Sequence, residues 1–457
     1  MVPQAQSFEF VSVTYTKQKR MIDNHYKTRL ENGKTLSFTE RIYLPDSIDS
    51  LFNSPKEPIF MSLLRDIHLI LGISYWKMHC APEMILSSVS LSQQQAQFWN
   101  ILYTTGLGEF YYRNTLLPFP AVSFPYTSDK TALSQPFYSH DKALVGIGGG
   151  KDSLVSVELL RDISYPCNGF IVEHKKQSHQ VGDLFKTLDM DPVAIQREID
   201  PELLSREDVY KGHVPISAVY AFLGVLGSLM IDARYFVVSN EQSANNENVV
   251  HDGVRINHQW SKSEEFERLV RSYIHQYITP DITYTSLLRP LHEIGVIERF
   301  VRYPQYFHVF SSCNRNFTVA ATKTSQELPS LQWCGSCPKC AFAFILLAAF
   351  LPRKTVLSIF SKNLLDDLSL ITLFRQLLGR EGLKPWDCVG TFEETHLAFL
   401  LAHERKEWED TEIMKMFVSD VLPSVEDGEA LKKQLLAVDM SAVQELPDRF
   451  QTIYLHE

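Results

Sequence analysis

The run ALVGIGGGKDS, Ala143 to Ser153, leaves this chain few ways to fold. ALVGIG is an uncharged strand suited to burial on both faces. The glycines after it allow a tight turn that side chains would block. SLVSVELLRDI then follows with apolar residues at helical spacing. A doubly buried strand feeding directly into a helix belongs to a mostly parallel sheet with helices packed on it.

The rest of the chain extends that pattern. NGFIVEH, PVAIQREI, YFVVSN and ITYTSLL read as strands; VGDLFKTLDM, Glu264 to Ile278 and HEIGVIERFVR read as helices. The expected class is α/β, a doubly wound, mostly parallel sheet. With 457 residues, about three domain-sized units are expected. Residues 1–140 form an α+β unit, with FEFVSVTYT and ERIYLP as strands and Pro58 to Met78 and Leu91 to Thr105 as helices. Pro118 to His140, rich in Pro and Ser, is the linker candidate. Residues 141–353 hold the alternating sheet, and 354–457 read as helices with solvated, charged faces.

Lys and Arg number 44 against 54 Asp and Glu, a net charge of -10. An acidic balance argues against nucleic acid, which needs a basic face. The N-terminus lacks a charged start followed by an apolar core, so no signal peptide is expected. Val214 to Ile231 carries no charge over 18 residues. Its glycines, its serines and the strand that follows make it a buried helix over a parallel sheet rather than a membrane span. A cytoplasmic protein is expected, without a membrane partner.

The glycine turn suits an anion. Its N–H groups and the N-terminus of the next helix offer donors and a positive dipole end. Lys151 can neutralise phosphate, Asp152 can hold magnesium, and Ser153 is placed to cap the helix or donate to phosphate oxygen. Asp152 breaks the usual mononucleotide pattern, and Lys151 breaks the dinucleotide one. What remains resembles the pyrophosphate loop of the PP-loop ATP pyrophosphatases, Ser-Gly-Gly-x-Asp-Ser, with Gly149, Gly150, Asp152 and Ser153 in place and Gly148 where that family has Ser. The resemblance implies cleavage of ATP between its α and β phosphates and adenylation of a substrate oxygen.

Seven cysteines are too few for a disulfide scaffold. Cys334, Cys337 and Cys340 lie at two-residue gaps, and Cys313 lies upstream. Four thiolates suit tetrahedral zinc; an iron–sulfur cluster or a redox pair is the alternative. Cys80, Cys167 and Cys388 are isolated and read as small buried hydrophobes. SNEQSANNEN, after the YFVVSN strand, reads as a nucleotide or substrate loop through Asn240 and Ser243, with Glu241 as metal ligand or base. His213, His258 and Lys262 are further proton-transfer candidates. Arg289 and Arg315 suit substrate carboxylates or phosphates.

In order, GGGKDS, HVPIS, SNEQSA, NHQWSK, SLLRP, SSCNRNF and WCGSCPKC resemble the UDP-N-acetylmuramoyl-L-alanyl-L-glutamate epimerase family (MurL). The resemblance runs from Ile67–Lys77 through GLGEFYYRN to NLLDD near Asp367. It implies an ATP- and magnesium-dependent inversion of the terminal L-glutamate of a UDP-linked muramoyl dipeptide in peptidoglycan synthesis. On that reading Lys151 and Asp152 serve the adenylation, and His213, Glu241, His258 and Lys262 are the pool for two proton transfers. An enzyme similar to 7-cyano-7-deazaguanine synthase, or a non-catalytic ATP-binding module, remains the alternative.

Overall fold

In a computed structural model the chain is described at residues 2–127, 134–174, 181–316 and 333–455. Eleven strands occur among them: β1 Ala5–Thr16, β2 Met21–Leu30, β3 Thr35–Tyr43, β4 Glu83–Leu86, β5 His140–Gly146, β6 Cys167–His174, β7 Pro192–Glu198, β8 Ala233–Val238, β9 Val249–His251, β10 Val254–Ile256 and β11 Thr283–Ser286. Nine form one sheet in the order β11-β8-β5-β6-β7-β3-β2-β1-β4. From β11 to β7 every pairing is parallel. β1, β2 and β3 form an antiparallel meander, and β4 pairs parallel with β1. The class is therefore α/β with a mixed, mostly parallel sheet.

The two parts meet where β3 pairs antiparallel with β7, Arg41 opposite Glu198 and Tyr43 opposite Gln196. One sheet thus runs across the expected unit boundary at residue 140. Glu40 of β3 and Arg197 of β7 form an ion pair with both side chains buried. Of the linker candidate, residues 128–133 lie outside the described residues, and 118–127 and 134–139 contain neither helix nor strand.

The sheet separates two apolar cores. Leu144, Phe170 and Phe236 face the helices Glu57–Trp76, Ile216–Met230 and Glu264–Tyr277. Ala143, Val145 and Val237 face Lys151–Asp162, Glu293–Phe300, Pro338–Phe350 and Phe392–Glu404. Alternate strand residues point to opposite faces, so a strand buried on both sides must be apolar throughout. The uncharged run at 214–231 is the buried helix Ile216–Met230. Gly224 lets it lie against the strands: a Cβ there would stand 2.0 Å from the Phe236 ring. The helix long and apolar enough to cross a membrane is instead Glu57–Trp76, and 83% of its window is buried in the protein.

Candidate active site

The glycine turn follows β5 at the C-terminal edge of the parallel strands, where ligands bind in such sheets. Gly149 has φ +88, a conformation that a side chain would strain. Gly150 caps the helix Lys151–Asp162 with extended backbone and no side-chain contact. Ser153 is therefore not the cap. It lies inside the first turn, where its hydroxyl donates to the Gly150 carbonyl at 3.1 Å.

Lys151 turns inward. Its ammonium contacts Asp152 and Glu293 and is almost fully buried. Burial alone would lower its pKa, but Asp152 and Glu293 outweigh it and keep the ammonium charged. Glu293 is pushed well up by burial, with Asp152 and Glu241 adding repulsion against the pull of Lys151. Glu241 is raised by burial and then by Asp152. Three carboxyls beside one ammonium are hard oxygen donors of the kind magnesium takes.

The loop after β8 divides in two. Asn240, Glu241, Ser243 and Ala244 are buried, whereas Asn245 and Asn246 are exposed. The Asn240 N–H donates to Ser286 Oγ at 2.7 Å. Ser243 Oγ donates to Glu394 at 2.7 Å and accepts from the Glu293 N–H at 3.2 Å. Arg289 is buried. It donates to the carbonyls of Glu241 and Lys262 at 2.8 and 2.7 Å and pairs with Glu267 at 3.1 Å. It thus ties the two candidate loops together. Arg315 is exposed, in the short turn Asn314–Asn316 beside Cys313.

A second cluster adjoins the first. His213 and His258 both set Nδ1 against Glu109 Oε2, at 3.1 Å for His213, with ring centroids 4.9 Å apart. These three groups match metal ligands by type and proximity. Both rings already direct Nδ1 to one carboxylate oxygen, so we read them as a hydrogen-bonded acid–base set. Burial, then the neighbouring His258, hold His213 neutral, at about 3. Burial also disfavours the His258 cation, but Cys388 and Glu109 outweigh it and lift this ring to about 9. Of the two rings, His258 is therefore the one favoured to carry the positive charge.

Cys388 corrects the sequence expectation. It is not an isolated hydrophobe: Lys262 Nζ donates to its sulfur at 3.4 Å, and the His258 ring is close enough to act on its charge. Burial would raise this thiol, yet Lys262, Lys339 and His258 together bring it well below the ordinary range. Cys80 and Cys167 are only partly buried, and burial raises both thiols, Cys80 to about 12. Lys262 links the two clusters. Burial opposes its charge, while Cys388, Glu241 and Asp152 sustain it. Glu109, Glu293 and Cys388 are site residues that sequence reasoning misses. Only GLGEFYYRN, which contains Glu109, carried any signal, through its place in the family resemblance.

The four clustered cysteines do gather. Their sulfurs lie within 4.8 Å of one another, with contacts of 3.4, 3.7 and 3.8 Å, and none is in a disulfide. Tetrahedral zinc with bonds of about 2.3 Å would set sulfurs about 3.8 Å apart. The thiolates therefore fit a zinc ion. The segment carrying Cys313 also supports the glycine turn: the Ser311 N–H donates to the Gly149 carbonyl at 2.9 Å.

Fold and site define an α/β protein with a glycine turn at the C-terminal edge of its parallel strands, a Glu109–His213–His258 cluster linked to it through Lys262, and four gathered cysteines behind. Comparison with known proteins narrows the class. The MurL N-terminal domain profile matches residues 1–287, and the MurL C-terminal domain profile matches 309–432. The chain belongs to the MurL family. Among its relatives, a protein of Xanthomonas oryzae pv. oryzae is 35% identical over 82% of each chain. One of a Micromonospora species is 33% identical over 84% of each. One of Salinispora tropica is 34% identical over 79% of this chain and 77% of its own. All three bear the name UDP-N-acetyl-alpha-D-muramoyl-L-alanyl-L-glutamate epimerase, so their class is isomerase.

Proposed function

We propose that this protein inverts the terminal L-glutamate of UDP-N-acetylmuramoyl-L-alanyl-L-glutamate, using ATP and releasing AMP and diphosphate. One observation carries the reading. Lys262 donates to Cys388 at 3.4 Å while Glu241 and Asp152 also sustain its charge, which supports a single site serving both the glycine turn and proton transfer. Inversion of an amino acid beside a free carboxylate needs both. The carbanion at Cα would stand next to an existing negative charge. Adenylation removes that charge, and the α-proton then becomes accessible to a base.

In this scheme Gly148, Gly149, Gly150 and Ser153, with the N-terminus of the helix Lys151–Asp162, hold the departing diphosphate. Lys151 balances charge at the turn. Asn240 and Ser243 order the neighbouring nucleotide loop. Asp152, Glu241 and Glu293 would hold magnesium, which neutralises phosphate charge when bound. Cys313, Cys334, Cys337 and Cys340 would hold zinc as a structural tie behind the turn. His213, His258 and Lys262 are the acid–base pool, and Arg315 is placed to meet an anionic part of the substrate. Reduced thiols and a nucleotide-linked substrate suit the cytoplasm.

The test is turnover of the UDP-linked dipeptide with ATP and magnesium in deuterium oxide. Expected are AMP, diphosphate and deuterium at the glutamate α-position. Turnover without deuterium there would reject inversion through proton loss. Turnover of a carboxy-deazaguanine with ammonia would instead favour amide or nitrile formation.

A further inference from the structure

We propose that Cys388 is one of the two groups that exchange the α-proton, with the His258 cation beside it sustaining the thiolate and Glu109 acting as the positioning residue behind His258. The assignment rests on the adenylation reading above and goes beyond it, because it names a base that neither spacing nor motif pointed to.

The geometry brings together a carboxylate, a ring and a thiol. Glu109 Oε2 holds His258 Nδ1, the cationic His258 ring stands beside Cys388, and Lys262 Nζ donates to the Cys388 sulfur at 3.4 Å. Such an arrangement, in which a carboxylate orients a ring beside a reactive group, sets the ring's tautomer and direction. Further contacts fix His258: its N–H donates to Asn248 Oδ1 at 2.9 Å. The loop bearing Cys388 is pinned from two sides. Trp386 packs on Tyr112 with centroids 5.5 Å apart, and the Pro385 carbonyl accepts from Asn248 Nδ2 at 3.4 Å.

The charges facing Cys388 come from every element around it. Lys262 and His258 belong to the segment after β10, Lys339 to the start of the helix Pro338–Phe350, and Asp387 is its chain neighbour. Three cationic groups around one sulfur favour the thiolate. Cys388 and Lys262 are each only partly buried. A resting thiolate beside the His258 cation has a lone pair on sulfur for the α-proton.

The step balances without an oxidant or reductant. The Cα–H bond breaks and its proton bonds to sulfur. The electron pair left on carbon moves into the adenylated carbonyl. A second group then gives a proton to the opposite face of Cα, and the proton on sulfur leaves to solvent, the His258 cation again sustaining the thiolate. Run backwards, the Cys388 thiol is the acid. One residue thus serves both directions, as a reversible inversion requires.

The test compares wild type, Cys388→Ala and Cys388→Ser, each as the full chain with the UDP-linked dipeptide, ATP and magnesium in deuterium oxide. Three readouts are taken: substrate-dependent exchange of diphosphate into ATP, inversion, and deuterium entering each epimer. Both variants are expected to still exchange diphosphate, while inversion falls by roughly 10²–10⁴-fold. Deuterium should then enter one epimer only, with retention, because the opposite-face group still works. Inversion within tenfold of wild type in both variants overturns the assignment. So does a glutamyl thioester on Cys388 in quenched wild-type reactions, since the sulfur would then be a nucleophile. Should neither variant fold, alkylation of wild type decides. Modification mapped to Cys388, slowed by substrate and abolishing inversion, supports the role; inversion persisting in protein alkylated at Cys388 overturns it. No diphosphate exchange in wild type overturns the adenylation reading and this assignment with it, whereas exchange with undiminished inversion in the variants overturns Cys388 alone.

Discussion

Lys151 and His258 show how much a buried charge depends on its partners. Replacing Lys151 by Met leaves Glu293 buried beside Asp152 and Glu241 without its cation. Removing one member of a buried pair costs about 3–5 kcal/mol. K151M should therefore lose stability on that scale in chemical denaturation, and adding Glu293→Gln should restore part of it. The histidines give opposite pH signs. His258 is raised to about 9 in the fold, from about 6.5 unfolded. Its stabilisation is complete below pH of about 6.5 and is lost as pH rises through about 9. His213 is held at about 3. Its contribution is present above pH of about 6.5 and fades as pH falls toward 3. The Cys388 thiol, lowered in the fold, gains stability over part of the same range, so His258→Gln should make the slope of Tm against pH from 7 to 9 more positive than in wild type; an unchanged slope would assign that limb to another group.

At the scale of elements, the turn after β5 is held from behind by the segment that carries Cys313. Stripping metal from the four thiolates should loosen Ser311 and the Gly149 carbonyl with it. Chelation, or Cys337→Ser, is expected to lower Tm and to weaken ATP binding on the order of 10-fold in calorimetry. Unchanged ATP affinity after metal removal would separate the two sites. The helix Ile216–Met230 offers an independent check on packing. Gly224→Ala places a methyl 2.0 Å from the Phe236 ring, and overpacking of this kind costs about 1–3 kcal/mol. Denaturant midpoints should shift accordingly without a change in diphosphate exchange. Among the strands, β2 went unread in the sequence. MIDNHYKTRL is half polar, and only every second residue is deeply buried through most of it. Its burial shows only once β1 and β3 flank it.

For the whole molecule, the β3–β7 pairing decides what can be separated. Residues 141–457 alone would leave β7 an open edge and Arg197 without Glu40. An exposed edge strand pairs with other chains. That fragment should aggregate, whereas cleavage within 128–133 should leave two pieces that elute together in size-exclusion chromatography. Local order in the chain determined the strand–helix alternation, the glycine turn, the buried helix over the sheet and the grouping of Cys334, Cys337 and Cys340, because each depends on side chains a few residues apart. Tertiary structure alone decided that β3 continues the parallel sheet. It also decided that Glu109 meets His258 across 149 positions, Lys151 meets Glu293 across 142, and Lys262 meets Cys388 across 126. Periodicity reports which face of an element is buried. It carries no record of which distant element arrives there, and the charge state of a thiol like Cys388 is fixed only when that neighbour is in place.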